Sequence, residues 1–203
     1  DVSVISFELP ASYTTTRARA FALQLIDGLP ALLAGRPSGL ADTPPFVQGN
    51  GLWTTFHLPG ARETRNDDAL KLEVSAGYFD TLGITIVAGR NFEPADKNRD
   101  AVIVSESIAR RLWGGSSGLG QRVIVGSGSK GGGPQLDFEV VGIVRDVSTY
   151  YGDVTNAFPT LYTSIGGRTI PRLLVRRLEP GVTQAIAAFA QRIEPRTKVT
   201  VSS

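Results

Sequence analysis

The two ends of this chain share one order of elements, strand, helix, strand, and the middle does not. At the N-terminus Val2–Leu9 reads as a strand, Pro10 breaks it, and Thr14–Thr16 offer an N-cap. Ala18, Phe21, Ala22, Leu25 and Ile26 then recur at helical spacing and form one apolar face. Gly28 and Pro30 are expected to end or kink that helix, and Gly35–Gly39 to be a loop. Leu52–Leu58 and Leu70–Val74 read as strands. Towards the C-terminus, Thr160–Thr163 and Leu173–Arg177 read as strands. Val182, Ala185, Ile186, Phe189 and Ile193 give the cleanest helical stripe in the chain, and strand-like Lys198–Val201 follows. Similar ends around a different middle predict an α+β fold. The ends would form one split domain, and the middle, whose texture changes near Ser75, an insertion in it.

Within the insertion, a short helical turn is expected around Tyr78–Leu82 and a strand at Ile84–Val87. The apolar run Ala101–Val104 leads into Ser105, a good N-cap, and Glu106 in the first turn suits the helix dipole. Ile108, Ala109, Leu112 and Trp113 make the buried stripe of that helix, which Gly114-Gly115 stops. Strands Arg122–Val125 and Phe138–Val144 flank Gly126–Pro134, a loop rich in glycine and serine that reads as a hairpin tip.

Composition narrows the function classes. A length of 203 residues suits one or two domains with a sizeable core, and 41% apolar with 20% charged residues is ordinary for a globular chain. Nothing approaches the roughly 18 consecutive apolar residues of a membrane-spanning helix. No signal peptide is present and the chain opens on Asp1, so it reads as a folded domain cut from a parent whose membrane segments lie elsewhere. The absence of cysteine excludes disulfides and thiolate metal sites. A net charge of +2 with scattered arginines argues against nucleic acid as a partner.

Three motif look-alikes fail on context. Gly114-Gly115-Ser116-Ser117-Gly118 satisfies G-x-S-x-G, but a helix precedes the serine and a strand follows, the reverse of a nucleophile elbow. The only histidine, His57, also lies upstream of that serine. Gly126–Gly131 matches G-x-G-x-x-G without the helix N-terminus that a dinucleotide needs. Gly115–Gly120 has Walker spacing but is followed by Gln121 where the phosphate-contacting lysine belongs. Asp67, Asp68, Glu93, Asp96 and Asp100 read as solvated loop residues with no EF-hand spacing. No catalytic residue, cofactor site or metal site is nominated. Tyr78, Phe79 and Leu82 read as a core-packing turn rather than a binding patch, and Arg90 with Asp96 as an ion pair bracing the loop around Phe92. Tyr150 and Tyr151 follow Asp146 in a loop, where adjacent aromatics cannot both face one core. At least one is expected to be exposed, as contact tyrosines often are.

Five ordered blocks carry a family resemblance. They are Val74–Phe92, with Tyr78-Phe79, Leu82-Gly83-Ile84 and Gly89-Arg90-Asn91-Phe92; Asp100–Trp113; Leu119–Val123; Phe138–Val147, with Gly142 and Asp146; and Pro159–Tyr162 continued by Leu173–Arg177. Together they resemble the extracytoplasmic core domain of MacB/FtsX-type ABC transporter permeases. Tyr78, Phe79, Gly83, Gly89, Arg90, Phe92, Trp113, Gly142 and Asp146 are the signature positions. The chain departs from the pattern at Leu29-Pro30-Ala31, at Gly114 and in a lengthened Ser127–Pro134 loop.

The resemblance implies a porter-like α/β subdomain from both chain ends, residues 1–74 and 151–203, and an inserted, mostly-β, sabre-like subdomain at 75–150. It implies a non-enzymatic role outside a bacterial inner membrane, coupling cytoplasmic ATP hydrolysis to an extracytoplasmic partner or substrate. The implied partners are the transmembrane segments of the parent permease, an ATPase separate or fused, a second protomer and a periplasmic adaptor. Tyr150, Tyr151, Ser127 and Lys130 are the candidate contact residues. Two rival readings are a peptide- or lipid-binding module with an interlobe cleft and a hydrolase using Ser116.

Overall fold

The computed structural model describes residues 1–45, 52–61, 68–98, 100–114, 117–126, 134–148 and 157–202. Its elements run β1 (Val2–Glu8), α1 (Thr15–Leu32), β2 (Ser38–Ala41), β3 (Leu52–His57), β4 (Asp68–Val74), α2 (Gly77–Leu82), β5 (Ile86–Gly89) and β6 (Ala101–Ser105). They continue as α3 (Glu106–Trp113), β7 (Arg122–Val125), β8 (Leu136–Val144), β9 (Thr160–Ser164), β10 (Arg172–Arg176), α4 (Pro180–Ile193) and β11 (Lys198–Ser202). The chain divides into two compact units. Unit 1 comprises Asp1–Pro44, Val74–Gly83 and Ile165–Ser203; unit 2 comprises Pro45–Glu73 and Ile84–Ser164.

Unit 1 is an antiparallel sheet in the order β11-β1-β10-β2, with α1 and α4 packed over one core. The alternation of β1 is fulfilled: Ser3, Ile5 and Phe7 are buried, Val2, Val4 and Ser6 half-buried and Glu8 exposed. Ile5 and Phe7 meet Phe21, Leu25 and Leu29 of α1, Leu173 and Val175 of β10, and Ile186 and Ala190 of α4. Thr14 is the N-cap of α1, its hydroxyl accepting the Arg17 N–H at 3.4 Å. Along α4, Ile186 and Ala190 are buried, while Val182, Phe189 and Ile193 pack at the margin and Ala185 is exposed.

Two expectations fail here. Gly28 and Pro30 do not end α1, which continues to Leu32. A Cβ on Gly28 would fall on the Phe189 ring, so this glycine is where α1 and α4 come closest rather than a stop signal. Pro30 lies in the last turn, where only one interior hydrogen bond is forfeited and Leu33 N–H still reaches the Leu29 carbonyl at 3.0 Å. The second error is the loop at Gly35–Gly39. Ser38 and Gly39 belong to β2, whose residues 38–41 pair with β10.

Unit 2 places β6 between β8, to which it is parallel, and β9, to which it is antiparallel. All five residues of β6 are buried, which the run Ala101-Val102-Ile103-Val104 anticipates for a strand covered on both faces. The sheet continues from β8 through β7 and β3 to β4, and β5 joins β8 alongside. Ile108 and Ala109 of α3 close the core over Val102, Val104, Val123, Val140 and Phe56.

These units do not follow the expected division at 74/75 and 150/151. Residues 45–73 group with unit 2, because β3 ladders with both β4 and β7. The stretch 74–83 groups with unit 1, where α2 rests on β2 and β10. Among the described residues no helix is long and apolar enough to cross a membrane.

Candidate functional site

The signature block Val74–Phe92 spans a passage of the chain from unit 1 to unit 2, and its two halves have different jobs. In unit 1, Ser75 anchors the approach: its N–H donates to the Leu40 carbonyl and its hydroxyl accepts the Leu40 N–H, each at 2.9 Å. The backbone of α2 then lies directly on β2. A Cβ on Gly77 would fall on the Ser38 carbonyl oxygen, and one on Gly39 would fall on the Tyr78 backbone. Tyr78 and Phe79 are fully buried and meet edge-to-face with ring centroids 5.7 Å apart. They are anchors of the core and present no exposed binding surface.

The end of α2 is held from β10. Gly83 takes the left-handed conformation, φ 70°, that closes a short helix. Arg176 donates from Nε at 3.1 Å and from Nη2 at 2.8 Å to the Thr81 carbonyl, placing a cation at the negative end of the helix. Neither Arg176 nor Gly39 stands out in the sequence, since the one is a strand arginine and the other resembles a turn.

The second half of the block braces unit 2. Gly89 has φ 74°, and a Cβ there would strike the Val141 carbonyl oxygen and the Leu119 side chain. Gly142 faces it across the β5–β8 pairing and is equally constrained, by the Arg90 carbonyl. The close passage of these two strands accounts for both signature glycines. Arg90 grips Asp96 through two hydrogen bonds, Nη1–Oδ2 at 2.7 Å and Nη2–Oδ1 at 3.1 Å. Asp96 also accepts the Glu93 N–H at 2.8 Å, which folds the loop around buried Phe92. Its carboxylate is therefore buried rather than solvated as expected, and its hydrogen bonds hold Arg90 still more firmly in the charged form.

Ser105 occupies the N-cap position of α3 without making the cap bond. Its hydroxyl instead accepts the Thr160 N–H at 3.1 Å. Asp146, 39 residues away in sequence, supplies the cap: Oδ1 accepts the Ser107 N–H at 2.9 Å and Oδ2 pairs with Arg110 at 2.7 Å. Replacing Asp146 with alanine is expected to destabilise unit 2 by about 1 kcal/mol. Asparagine keeps an acceptor for Ser107 and loses only an exposed pair, so a loss of no more than about 0.5 kcal/mol is expected. Urea unfolding followed by tryptophan fluorescence, to which Trp113 at the far end of α3 contributes, distinguishes them. Equal losses would shift the weight from the cap to the ion pair. Trp113 is half-buried, and Gly118 lies flat against its indole.

The remaining candidates gain no chemistry. Gly114, φ 62°, terminates α3, and β7 follows, so the G-x-S-x-G segment sits between a helix and a strand; Ser116 itself lies outside the described residues. Buried His57 turns Nδ1 to the Leu58 carbonyl at 2.9 Å. Among the described residues no cluster of three or more histidine or acidic side chains is placed to hold a metal ion. Ser127, Lys130, Tyr150 and Tyr151 lie outside the described residues.

The arrangement matches known proteins in fold. The periplasmic region of MacB from Actinobacillus actinomycetemcomitans is similar at a TM-score of 0.59 and 14% identity, over 100% of this chain and 88% of that one. The extracellular domain of YknZ, a noncanonic ABC-type transporter from Gram-positive bacteria, is similar at 0.57 and 18% identity, over 100% of both chains. A search of curated proteins by sequence finds no match. The family model of the MacB-like periplasmic core domain matches residues 11–195. With that match across nearly its whole length, and with the signature glycines, aromatics and Arg90 accounted for by packing, the chain belongs to the MacB-like periplasmic core domains, the extracytoplasmic regions of ABC transporter permeases.

Proposed function

We propose that this domain is a non-enzymatic mechanical relay, in which two rigid units change their relative orientation as the permease responds to cytoplasmic ATP hydrolysis. One observation carries the reading: each unit has its own closed hydrophobic core, and the chain passes between them at 44/45, 73/74, 83/84 and 164/165. Separate cores let each unit move as a body, and four passages leave no single flexible tether. We further propose that unit 1 corresponds to the porter-like subdomain and most of unit 2 to the sabre-like one. Contacts with a second protomer or an adaptor would run through Ser127, Lys130, Tyr150 and Tyr151.

The test is a pair of spin labels, one on exposed Gln184 of α4 and one on exposed Asp137 of β8, in the intact permease. Double electron–electron resonance should give different distance distributions in nucleotide-free and ATP-trapped states. Identical distributions in both states would sink the relay. A crosslinking scan that finds no neighbour at these four residues would remove the contact assignment and leave the relay standing.

A further inference from the structure

Two of the four passages between the units run side by side. Within unit 2, β4 pairs with β9, and the Leu70 N–H donates to the Pro159 carbonyl at 2.9 Å. Within unit 1, at the ends of the same two strands, the Ile165 N–H donates to the Val74 carbonyl at 3.0 Å. From the first bond to the second the partners advance in one direction along both strands, so β4 and β9 are parallel neighbours. Val74 is the last residue of β4 and Ser164 the last of β9, and the chain changes unit at 73/74 and at 164/165. Both strands therefore leave unit 2 at the same level, about 4.8 Å apart as neighbours in a sheet are.

The residues on either side of these two links are fixed. In unit 2, β4 ladders with β3, and β9 with β6. In unit 1, Val74 stands opposite Ala41 of β2, and Ser75 is bonded twice to Leu40. Ile165, 4% exposed, joins Leu40 and Leu173 in the unit 1 core. Torsional freedom at these passages is thus confined to the Glu73–Val74 and Ser164–Ile165 links. Hinges use such element-terminal positions to absorb changes in backbone angle. Two adjacent links that bend together define a crease, and the Val74–Ile165 bond keeps one strand from sliding past the other.

The third passage has a freedom of its own. Only Gly83, φ 70°, separates the end of α2 from buried Ile84, and a residue without Cβ follows a change of direction at low steric cost. The fourth, at 44/45, leads into residues outside the described ones.

We propose that the two units pivot about the paired crossing, a two-stranded hinge whose strands are kept in step by the Val74–Ile165 hydrogen bond, an assignment that rests on the relay reading above. The test keeps every side chain. Introducing the α-hydroxy acid of isoleucine at Ile165 of the intact permease turns that amide into an ester, which removes the N–H alone. With spin labels on Gln184 and Asp137, this ester should widen the distance distribution in the nucleotide-free state, because the two links then bend independently. The same exchange at Leu70, on the same ladder but inside unit 2, should leave the width at that of the parent. Amide hydrogen exchange in β1 and β10 should stay at parent rates, since unit 1 keeps its core.

An unchanged width with the Ile165 ester, equal widening with the Leu70 ester, or faster exchange throughout β1 and β10 would each overturn the proposal. The pivot is read from the width within one state, and the relay from the shift between two states of the unaltered permease. Failure of either is therefore seen apart from failure of the other.

Discussion

Replacing Tyr78 with alanine is expected to lower the stability of unit 1 by about 3–5 kcal/mol, the range for removing a large buried aromatic. Tyr78 is among the largest fully buried side chains of the protein. Its ring stacks edge-on against Phe79, and its backbone lies against Gly39. The short α2 cannot sustain itself on six residues, because a helix of that length is unstable without tertiary packing. Losing the ring should therefore release the whole α2 segment from β2 and β10. Hydrogen exchange at the amides of β2 and β10 reports unit 1 directly. Both tryptophans, Trp53 and Trp113, lie in unit 2, so their fluorescence reports the other core. Faster exchange in β2 with an unshifted fluorescence transition is the expected pair of results. A loss under about 1 kcal/mol would mean that the cavity collapses without disturbing α2.

Gly89→Ala should destabilise unit 2 by about 3 kcal/mol, combining left-handed backbone strain with overpacking. At φ 74° any L side chain is strained, and the new methyl would also strike the Val141 carbonyl oxygen and Leu119. A backbone oxygen in a ladder cannot step aside as a side-chain tip can, and Val141 already accepts the Arg90 N–H at 3.0 Å. Asparagine, which tolerates the left-handed region better, removes part of the strain and none of the clash. Urea midpoints from tryptophan fluorescence should thus fall for both variants, a little less for asparagine. A wild-type midpoint for Gly89→Ala would show that β5 can shift on β8 without penalty.

The parts of this fold that were legible in the sequence are those in which burial follows a simple period. The β1 alternation, the uniformly apolar β6 and the stripe of α4 each announce their element, because one face or both faces must be apolar. The signals that misled were glycine and proline. Gly28 and Gly39 read as breaks, yet each is the point where one backbone or ring presses on another. Punctuation and close approach demand the same residue, and only the partner's location tells them apart.

The polar side of the site was hidden for a related reason. Asp146 caps a helix through the N–H of a residue 39 positions earlier, and Arg176 closes one that ends about 95 residues earlier, so neither is visible in a local window. Asp96 read both as a solvated loop acid, as acidic residues in loops usually are, and as the ion-pair partner of Arg90, and the second reading is the one the structure keeps. What buries it is the bidentate grip of Arg90.

The pairing of β1 with β11 also sets how the domain bears load. Tension applied between the two ends of this ladder would act at the Val2 and Ser202 side, where neighbouring antiparallel strands leave together. Such a pull unzips hydrogen-bonded pairs in sequence, from Val4 opposite Ser202 towards Glu8 opposite Lys198, instead of shearing them all at once. Unit 2, spliced into the chain between these strands, lies off the shortest force path and carries tension only once β1 and β11 have parted. The weak point under stretch is therefore the β11 edge of unit 1, and the core under α3 is mechanically sheltered.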